Sequence, residues 1–594
     1  MKNKYLKSDL LPFVKWLVVF MTLFFYLQIE GRFNLYFMEQ WQLFLNDWAY
    51  VGSTLWQPGG VVQLVSGFLI QFFVYPFCGA FIFALILTLI GFFIASVFAK
   101  LASGFRLYVF ALLPVVSLLF LQHSVNYQLA GTIAFLLFSV GLNYYFKIHT
   151  LKGRLLFDSC VSLMLYLLAG PVATLFIVCV LLIELFKHFR SSYLFLIPGV
   201  IVYLSANLSL RLGVSGDIKQ LLLPHGYFEY SQNELMVYQT WIFMLALLSL
   251  ALLLHWVKIV KRSVWQTGLV LQFIVVIGYA FYCPSFMIDT RNELFKELEH
   301  YIGLEDWDMV LKRSQNKGTN NYLCQNCRNL ALAEKGELAE KLFEYPQAGI
   351  QNITINWDKT IYVSALLSDV YFSMGHIAMS QRMAFEAGGN ENGNNYNPRM
   401  LKRLVQTNLV YGHYRVAEKY IVLLEKSLYY RKWARLQRKF LNNDSAIEAD
   451  SLLAAKRRCL FPEKSISGND GINVDLKYII EHNPSHQASI QYLSAMYLLL
   501  KDIHSFRELV EYYYETPALP YLPKAFQECM MLFTSSDPEI IDYYNISDEV
   551  VQRYQTFRTI KTDEVVQEYQ NILNHKTDKK ATYWHYLLCY TENN

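Results

Sequence analysis

Glu39, Asp47 and His225 are the side chains whose types and setting best suit chemistry. Two carboxylates in an aromatic-rich stretch can accept a proton or help hold a divalent metal while charge develops during group transfer. His225 follows Pro224 in a long polar connection, LRLGVSGDIKQLLLPHGYFEYSQNE (210–234). Long connections often carry function, although an ordinary loop histidine is the competing reading. Cys324 and Cys327 form a C-x-x-C. No second ligand pair at zinc spacing accompanies it, and no βαβ context suits a thioredoxin-like site. A short disulfide in an oxidising compartment and two unpaired helix cysteines both remain open. Gly-x-x-x-x-Gly-Lys-Ser/Thr, His-Glu-x-x-His and Gly-x-Ser-x-Gly are all missing from the sequence. Nucleotide hydrolysis, zinc proteolysis and α/β-hydrolase chemistry therefore have no support. No cofactor is evident.

Charge distribution dictates what must position these residues. Residues 1–288 carry 26 charged side chains and residues 289–594 carry 74. Charge-free runs of 52 residues (48–99) and 40 residues (107–146) lie in the first part. Such runs belong in lipid. The expected class is all-α: a polytopic transmembrane helix bundle over 1–288, then a soluble tetratricopeptide-like α-helical repeat domain over 289–594. Net charge is about +8 in the first part and about −4 in the second, counting side chains. The basic excess sits in short loops, where it orients helices rather than binding nucleic acid.

Spans are expected near 11–28, 60–77, 79–98, 106–122, 128–146, 155–169, 172–187, 193–210, 236–256 and 265–284. The basic start and apolar run at the N-terminus read as an uncleaved first span, because no small-residue cleavage site follows. Lys100 and Arg106, then Lys147, Lys152 and Arg154, then Lys187 and Arg190, then Lys258, Lys261 and Arg262 mark alternate loops as basic. Those loops should be cytoplasmic, which puts the C-terminal domain outside. Lys2, Lys4, Lys7 and Lys15 place the N-terminus inside as well, and ten crossings then fail parity by one. Either 60–77 is re-entrant or 33–51 is an eleventh crossing.

At 100° per residue, Glu39, Gln40, Gln42, Asn46 and Asp47 share one arc of 33–51. Phe37, Met38, Trp41, Phe44, Leu45 and Trp48 take the other side, so an amphipathic helix is expected there. It would lie in the interface or turn its polar face into a cavity. Pro58-Gly59-Gly60 signals a turn before the next span. His123, Asn126, Gln128, Arg211, Asp217, His225 and Glu229 fall at the outer side. Asp158 and Glu184 are expected to pair with Arg154 and Lys187, within four residues of each.

The second part shows self-similar segments: 329–343, 368–387, 407–427 and, more weakly, 491–515. Gly336, Gly375 and Gly412 stand at the expected turns, 39 and 37 residues apart, and Lys501-Asp502 replaces the glycine in the last copy. Stacked helix pairs of this kind form surfaces that bind protein partners. The polar stretches 388–398 and 463–475 read as exposed loops.

Glu39-Gln40, Phe44, Pro58-Gly59-Gly60 and Gln71-Phe72-Phe73, with Ala384–Ala387 and Ala417–Tyr420, carry a resemblance. The chain resembles, over its whole length, an uncharacterised polytopic membrane-protein family of Bacteroidetes, a domain of unknown function. The resemblance implies a Gram-negative inner membrane and no established activity. More distantly, the chain is similar to C-superfamily membrane glycosyltransferases with tetratricopeptide repeats. That likeness implies a lipid-linked sugar donor, a possible divalent metal, and acidic residues in the first outer loop, where Glu30, Glu39 and Asp47 stand. The tight Asp-x-Asp or Glu-x-Asp pair of that superfamily is absent from this loop. Two functions are thus expected: a membrane-anchored scaffold recruiting envelope partners through its repeats, or an extracytoplasmic glycosyltransferase using Glu39, Asp47 and His225.

Overall fold

The computed structural model describes residues 2–102, 107–214, 217–229, 234–256, 262–288, 290–315, 321–388, 397–461, 471–534, 537–560, 562–573 and 580–590. Arg106, Lys258 and Lys261, and most of 388–398 and 463–475, lie outside the described residues. Every extended element among the described residues is a helix; strand pairing is confined to isolated bridges such as Tyr127 with Phe228. The chain divides into two compact units, Met1–Glu293 and Leu294–Asn594.

The first unit contains α1 (Lys2–Ile29), α2 (Arg32–Trp41), α3 (Trp48–Leu55), α4 (Gly60–Ile70), α5 (Cys78–Leu101), α6 (Leu112–Leu121) and α7 (Leu129–Tyr145). It continues with α8 (Leu151–Ala169), α9 (Val172–Lys187), α10 (Ile197–Arg211), α11 (Ile218–Leu222), α12 (Glu234–Leu253) and α13 (Arg262–Met287). Four helices are long and apolar enough to cross a membrane: Cys78–Leu101, Phe189–Arg211, Leu235–Leu253 and Ser263–Ser285. A fifth is added if Val14–Ile29 and Arg32–Trp41, bent by 74°, count as one broken span. The sequence predicts ten or eleven. The difference is one of helix length. The apolar stretches at 60–77, 106–122, 128–146 and 172–187 yield helices of 11, 10, 17 and 16 residues, short of the roughly 20 that a bilayer needs. Apolar composition continues through the turns that end these helices, so hydropathy runs past them.

The stretch 33–51 is not one helix. α2 stops at Trp41, and α3 starts after a non-helical link over 42–47. Leu43, Phe44 and Leu45 are successive and all buried. A helix with a single narrow apolar stripe does not bury every residue of such a run, whereas a link inserted into the unit does. Glu39, expected on the wet face, is buried, while Trp48, expected on the apolar face, is 89% exposed. Gly60 belongs to α4 rather than to the turn before it, and a Cβ there would stand 1.9 Å from the Thr54 carbonyl oxygen.

Cationic groups gather at one end of this unit. Lys100 Nζ donates to the Asn143 carbonyl at 2.9 Å and to its Oδ1 at 2.8 Å. Arg154 reaches Glu184 at 3.3 Å, and Tyr145 donates to the same carboxylate at 2.5 Å. Lys147 lies over Tyr144, and Lys187 over Phe146. Glu184 thus pairs across helices. Asp158 accepts from Ser162 at 3.1 Å instead of pairing with Arg154.

The opposite end holds the C-terminus of α1, the 122–128 turn, Gly170 and the 227–229 segment. α4 begins there, with Gly59 N donating to Leu167 O at 3.0 Å and Gly59 seated against Ala169 and Gly170. After α4 and the turn over 71–77, α5 also begins there, with Gly79 against Leu35 of α2. Residues 60–77 therefore enter and leave at one end, as a re-entrant segment does. Glu293, the last residue of the unit, hydrogen-bonds His123 at this same end, 3.1 Å away.

The second unit includes most of α14 (Thr290–Gly303), then α15 (Trp307–Ser314), α16 (Tyr322–Glu334), α17 (Leu338–Lys341), α18 (Ile361–Met374), α19 (Ile377–Gly388), α20 (Pro398–Tyr411) and α21 (Tyr414–Glu425). Gly336, Gly375 and Gly412 have φ of +72°, +86° and +75° at the ends of α16, α18 and α20. Lys501 takes the same left-handed conformation, φ +58°, between helices Gln487–Leu499 and Ile503–Tyr513. The helix Gln487–Leu499 is buried on every side from Ser489 onward and packs on α16, α17 and α18. A helix apolar all round has to be covered all round. This one therefore packs back onto the first helix pairs instead of extending the row. Cys324 and Cys327 are both buried on α16.

Candidate functional site at the clasp end of the bundle

The end of the first unit opposite its cations is built from short polar segments held by backbone bonds. Gln128 N donates to Tyr227 O at 2.9 Å, and Glu229 N to Asn126 O at 3.0 Å. The Tyr127 and Phe228 rings pack 5.0 Å apart behind this clasp. Tyr227 donates to Ala169 O at 2.6 Å and accepts from Val172 N at 3.1 Å, which ties the clasp to the α8–α9 turn. Gly226 is needed for this approach, because a Cβ there would stand 2.1 Å from Gln220 O. Asn34 of α2 donates to Gln122 O, and Gln122 donates to Thr132 at 3.0 Å.

A polar chain runs beside it. Tyr26 Oη lies 3.3 Å from His123 Nε2, and His123 Nδ1 lies 3.1 Å from Glu293 Oε1. The His123 side chain is almost fully covered and that of Glu293 only partly. An imidazole held between a phenol and a carboxylate has a fixed ring orientation.

Between α2 and the clasp lies a small cleft, partly open to solvent, with space for little more than a water molecule. Its wall is formed by Asn34, Phe37, Met38, Trp41 and Gln42 on one side and by residues 124–128 with Glu229 on the other. Glu39, Asp47 and His225 do not line it. Glu39 points into the interior and accepts from Gln40 Nε2 at 2.6 Å. Asp47 stands at the N-cap of α3. His225 lies in a short 3₁₀ turn, its ring 5.4 Å from that of Tyr238. Asn126, Gln128 and Glu229, which the sequence marks as outer polar residues, do converge. Asn34, Gln122 and Glu293 are not marked by sequence reasoning; only the polar pair Gln122-His123, breaking an apolar run, signals this end. Asp217 caps α11, accepting from Lys219 N at 2.9 Å. Among the described residues, no group of three or more His, Cys, Asp or Glu side chains stands ready to hold a metal ion.

Among the described residues the chain is thus helical, with two compact units and four or five helices long and apolar enough to cross a membrane. A family model described as a family of unknown function, DUF6057, matches residues 9–590, and the chain belongs to that family. No curated protein and no solved structure matches it.

Proposed function

We propose that this protein is a multi-pass protein of the bacterial inner membrane whose C-terminal helical domain is displayed on the periplasmic side and recruits envelope proteins. The cationic end of the first unit faces the cytoplasm in this reading, by the positive-inside rule, and Glu293 leaves at the other end. The C-terminal helix pairs, with left-handed turn residues at Gly336, Gly375, Gly412 and Lys501, act as tetratricopeptide-like repeats. The observation that carries recruitment is an exposed tyrosine cluster on the second unit. Tyr512 is 71% and Tyr543 62% exposed, and Tyr514 packs 5.8 Å from Tyr543 and 5.0 Å from Tyr544. Aromatic side chains left in water at such density are typical of protein interfaces. Crosslinking in intact cells tests this. Partners captured by the wild type should be lost from a Tyr512→Ser/Tyr543→Ser variant that melts normally; an unchanged set of partners overturns the reading. A periplasm-specific reporter inserted at residue 290 should be active.

A second reading, carried by the sequence resemblance and by Glu39 and Asp47 rather than by the cleft, is an extracytoplasmic glycosyltransferase resembling the C superfamily and using a lipid-linked sugar donor. Glu39 and Asp47 supply the acidic groups, His225 assists proton transfer, and any divalent metal arrives with the substrate. Glu39→Gln and Asp47→Asn variants should then alter envelope glycans, and unaltered glycans rule it out.

A further inference from the structure

The chain after residue 288 is acidic overall, yet residues 426–443 hold six cations and no acid. This stretch forms α22 (Arg431–Gln437), which runs into a 3₁₀ turn over Arg438–Phe440. Tyr430, Ala434 and Phe440 are its buried side, and Lys402 of α20 lies against the Tyr430 and Trp433 rings. At about 100° per residue, Lys432, Arg435 and Leu436 share the opposite face of α22, and all three are exposed. Leu428, Tyr429 and Lys439 flank that face and are exposed too. Nearby carboxylates are already engaged. Arg438 holds Glu425 through Nε at 2.7 Å and Nη2 at 2.8 Å, and reaches Glu418 at 3.5 Å. Arg457 holds Asp444 at 2.7 Å and reaches Glu448 at 3.4 Å. Lys432, Arg435 and Lys439 have no carboxylate partner among the described residues.

We infer that this face of the second unit docks on the headgroups of an anionic phospholipid bilayer. Its Lys and Arg side chains donate to phosphate oxygens. Leu428, Tyr429 and Leu436 enter the boundary between headgroups and acyl chains, as the apolar side of a basic interfacial helix does. A nucleic acid would satisfy the cations and leave Leu428 and Leu436, the latter 58% exposed, in water, whereas a lipid surface covers both. Helices of the first unit long and apolar enough to cross a membrane keep lipid at a high effective concentration, so a few modest contacts suffice. The inference goes beyond both functional readings and rests only on membrane attachment of the first unit.

The test uses the full chain in phosphatidylcholine nanodiscs with or without phosphatidylglycerol, each carrying a trace of fluorescent lipid. Benzoylphenylalanine in place of Leu436 is photolysed, and the fluorescence crosslinked to the chain is read. Recovery of the chain in the nanodisc fraction reports membrane attachment separately from docking. The crosslink yield with phosphatidylglycerol should exceed that without it at least about tenfold, and should fall when salt is raised. Lys432→Gln should lower it about fivefold, and Arg435→Gln and Lys439→Gln likewise. Lys312→Gln, at an exposed lysine on α15, should leave it unchanged. A variant that melts early is replaced by either of the other two at the face. Equal yields in the two nanodiscs, or a yield that none of the three variants lowers, overturns the inference. So does loss of the lipid crosslink to polyglutamate at the charge concentration of the lipid, which would make an acidic polypeptide the ligand.

Discussion

The two units differ in where they put their cations. In the first, cations sit at one end, where Lys100 is held by Asn143, and Arg154 with Tyr145 by Glu184. In the second, charge is taken into the core. Arg399 contacts both Asp369 and Glu299, and Arg403 reaches Asp369 at 3.0 Å. Arg328 is 1% exposed and donates to Ser314 O, and Lys456 lies 2.9 Å from His486. Burial pulls the Lys456 ammonium down to about 8 and pushes the Glu299 and Glu528 carboxyls up to about 7. A helix in lipid has no water beside it to share with a charge along its length, so its charges move to the ends. A water-soluble core can bury charges where opposite charges and carbonyls meet them. Apolar content therefore distinguishes the units less sharply than where each puts its ions.

Removing Asp369 probes the buried arrangement hardest. Asp369→Ala leaves Arg399 with Glu299 alone and Arg403 without its carboxylate. The second unit should lose about 3–5 kcal/mol of unfolding free energy in urea. Glu184→Gln at the cationic end of the first unit should cost less, about 1.5–3 kcal/mol, because Glu184 meets one guanidinium where Asp369 meets two, and the Gln amide oxygen still accepts from it. Equal losses at the two sites would erase the contrast. Acidity gives a smaller and signed effect. The folded Glu528 carboxyl is raised to about 7 and so keeps a proton that the unfolded chain has already released. Its contribution to stability is therefore greatest at low pH and falls as pH rises from about 4.5 to 7. Titrating the urea midpoint should show a decline on the order of 2 kcal/mol over that window, flattened in Glu528→Gln. The smallest effect is expected at Gly412, where φ is +75° and no atom lies within 4 Å of the place a Cβ would take. Gly412→Ala should cost about 1 kcal/mol from backbone strain alone, seen as a small drop in Tm.

Much of the architecture is legible in the sequence, and its failures have causes. Gly336, Gly375 and Gly412 stand out because a left-handed turn residue has few alternatives, and Lys501 shows that the same turn conformation forms without glycine. Alternate basic loops mark Lys100 and Arg154, and those cations do meet at one end. Span number is not legible, because chain turns inside a folded bundle can be as apolar as its helices. Gly59, pressed on Ala169 and Gly170, and Gly60, pressed on Thr54, turn the chain through backbone contact that hydropathy does not record. The site is legible in composition and not in geometry. Asn126, Gln128 and Glu229 read as outer polar residues, but their meeting with Trp41 depends on the Tyr127–Phe228 bridge between segments distant in the chain. The helical period of 33–51 suggests one amphipathic helix, and the burial of Leu43, Phe44 and Leu45 breaks it.

The re-entrant α4 has an electrical consequence. Its 11 residues rise about 16 Å, roughly half of a 30 Å hydrocarbon slab. In the proposed topology, with Gly59 at the membrane surface, Gln71, buried at the end of α4, stands near the level where half of any membrane voltage has fallen. A unit charge there would feel about 1 kcal/mol per 100 mV, whereas one at Gly59 would feel almost none. In that topology a segment that stops short of crossing the bilayer brings a polar side chain within reach of the membrane potential.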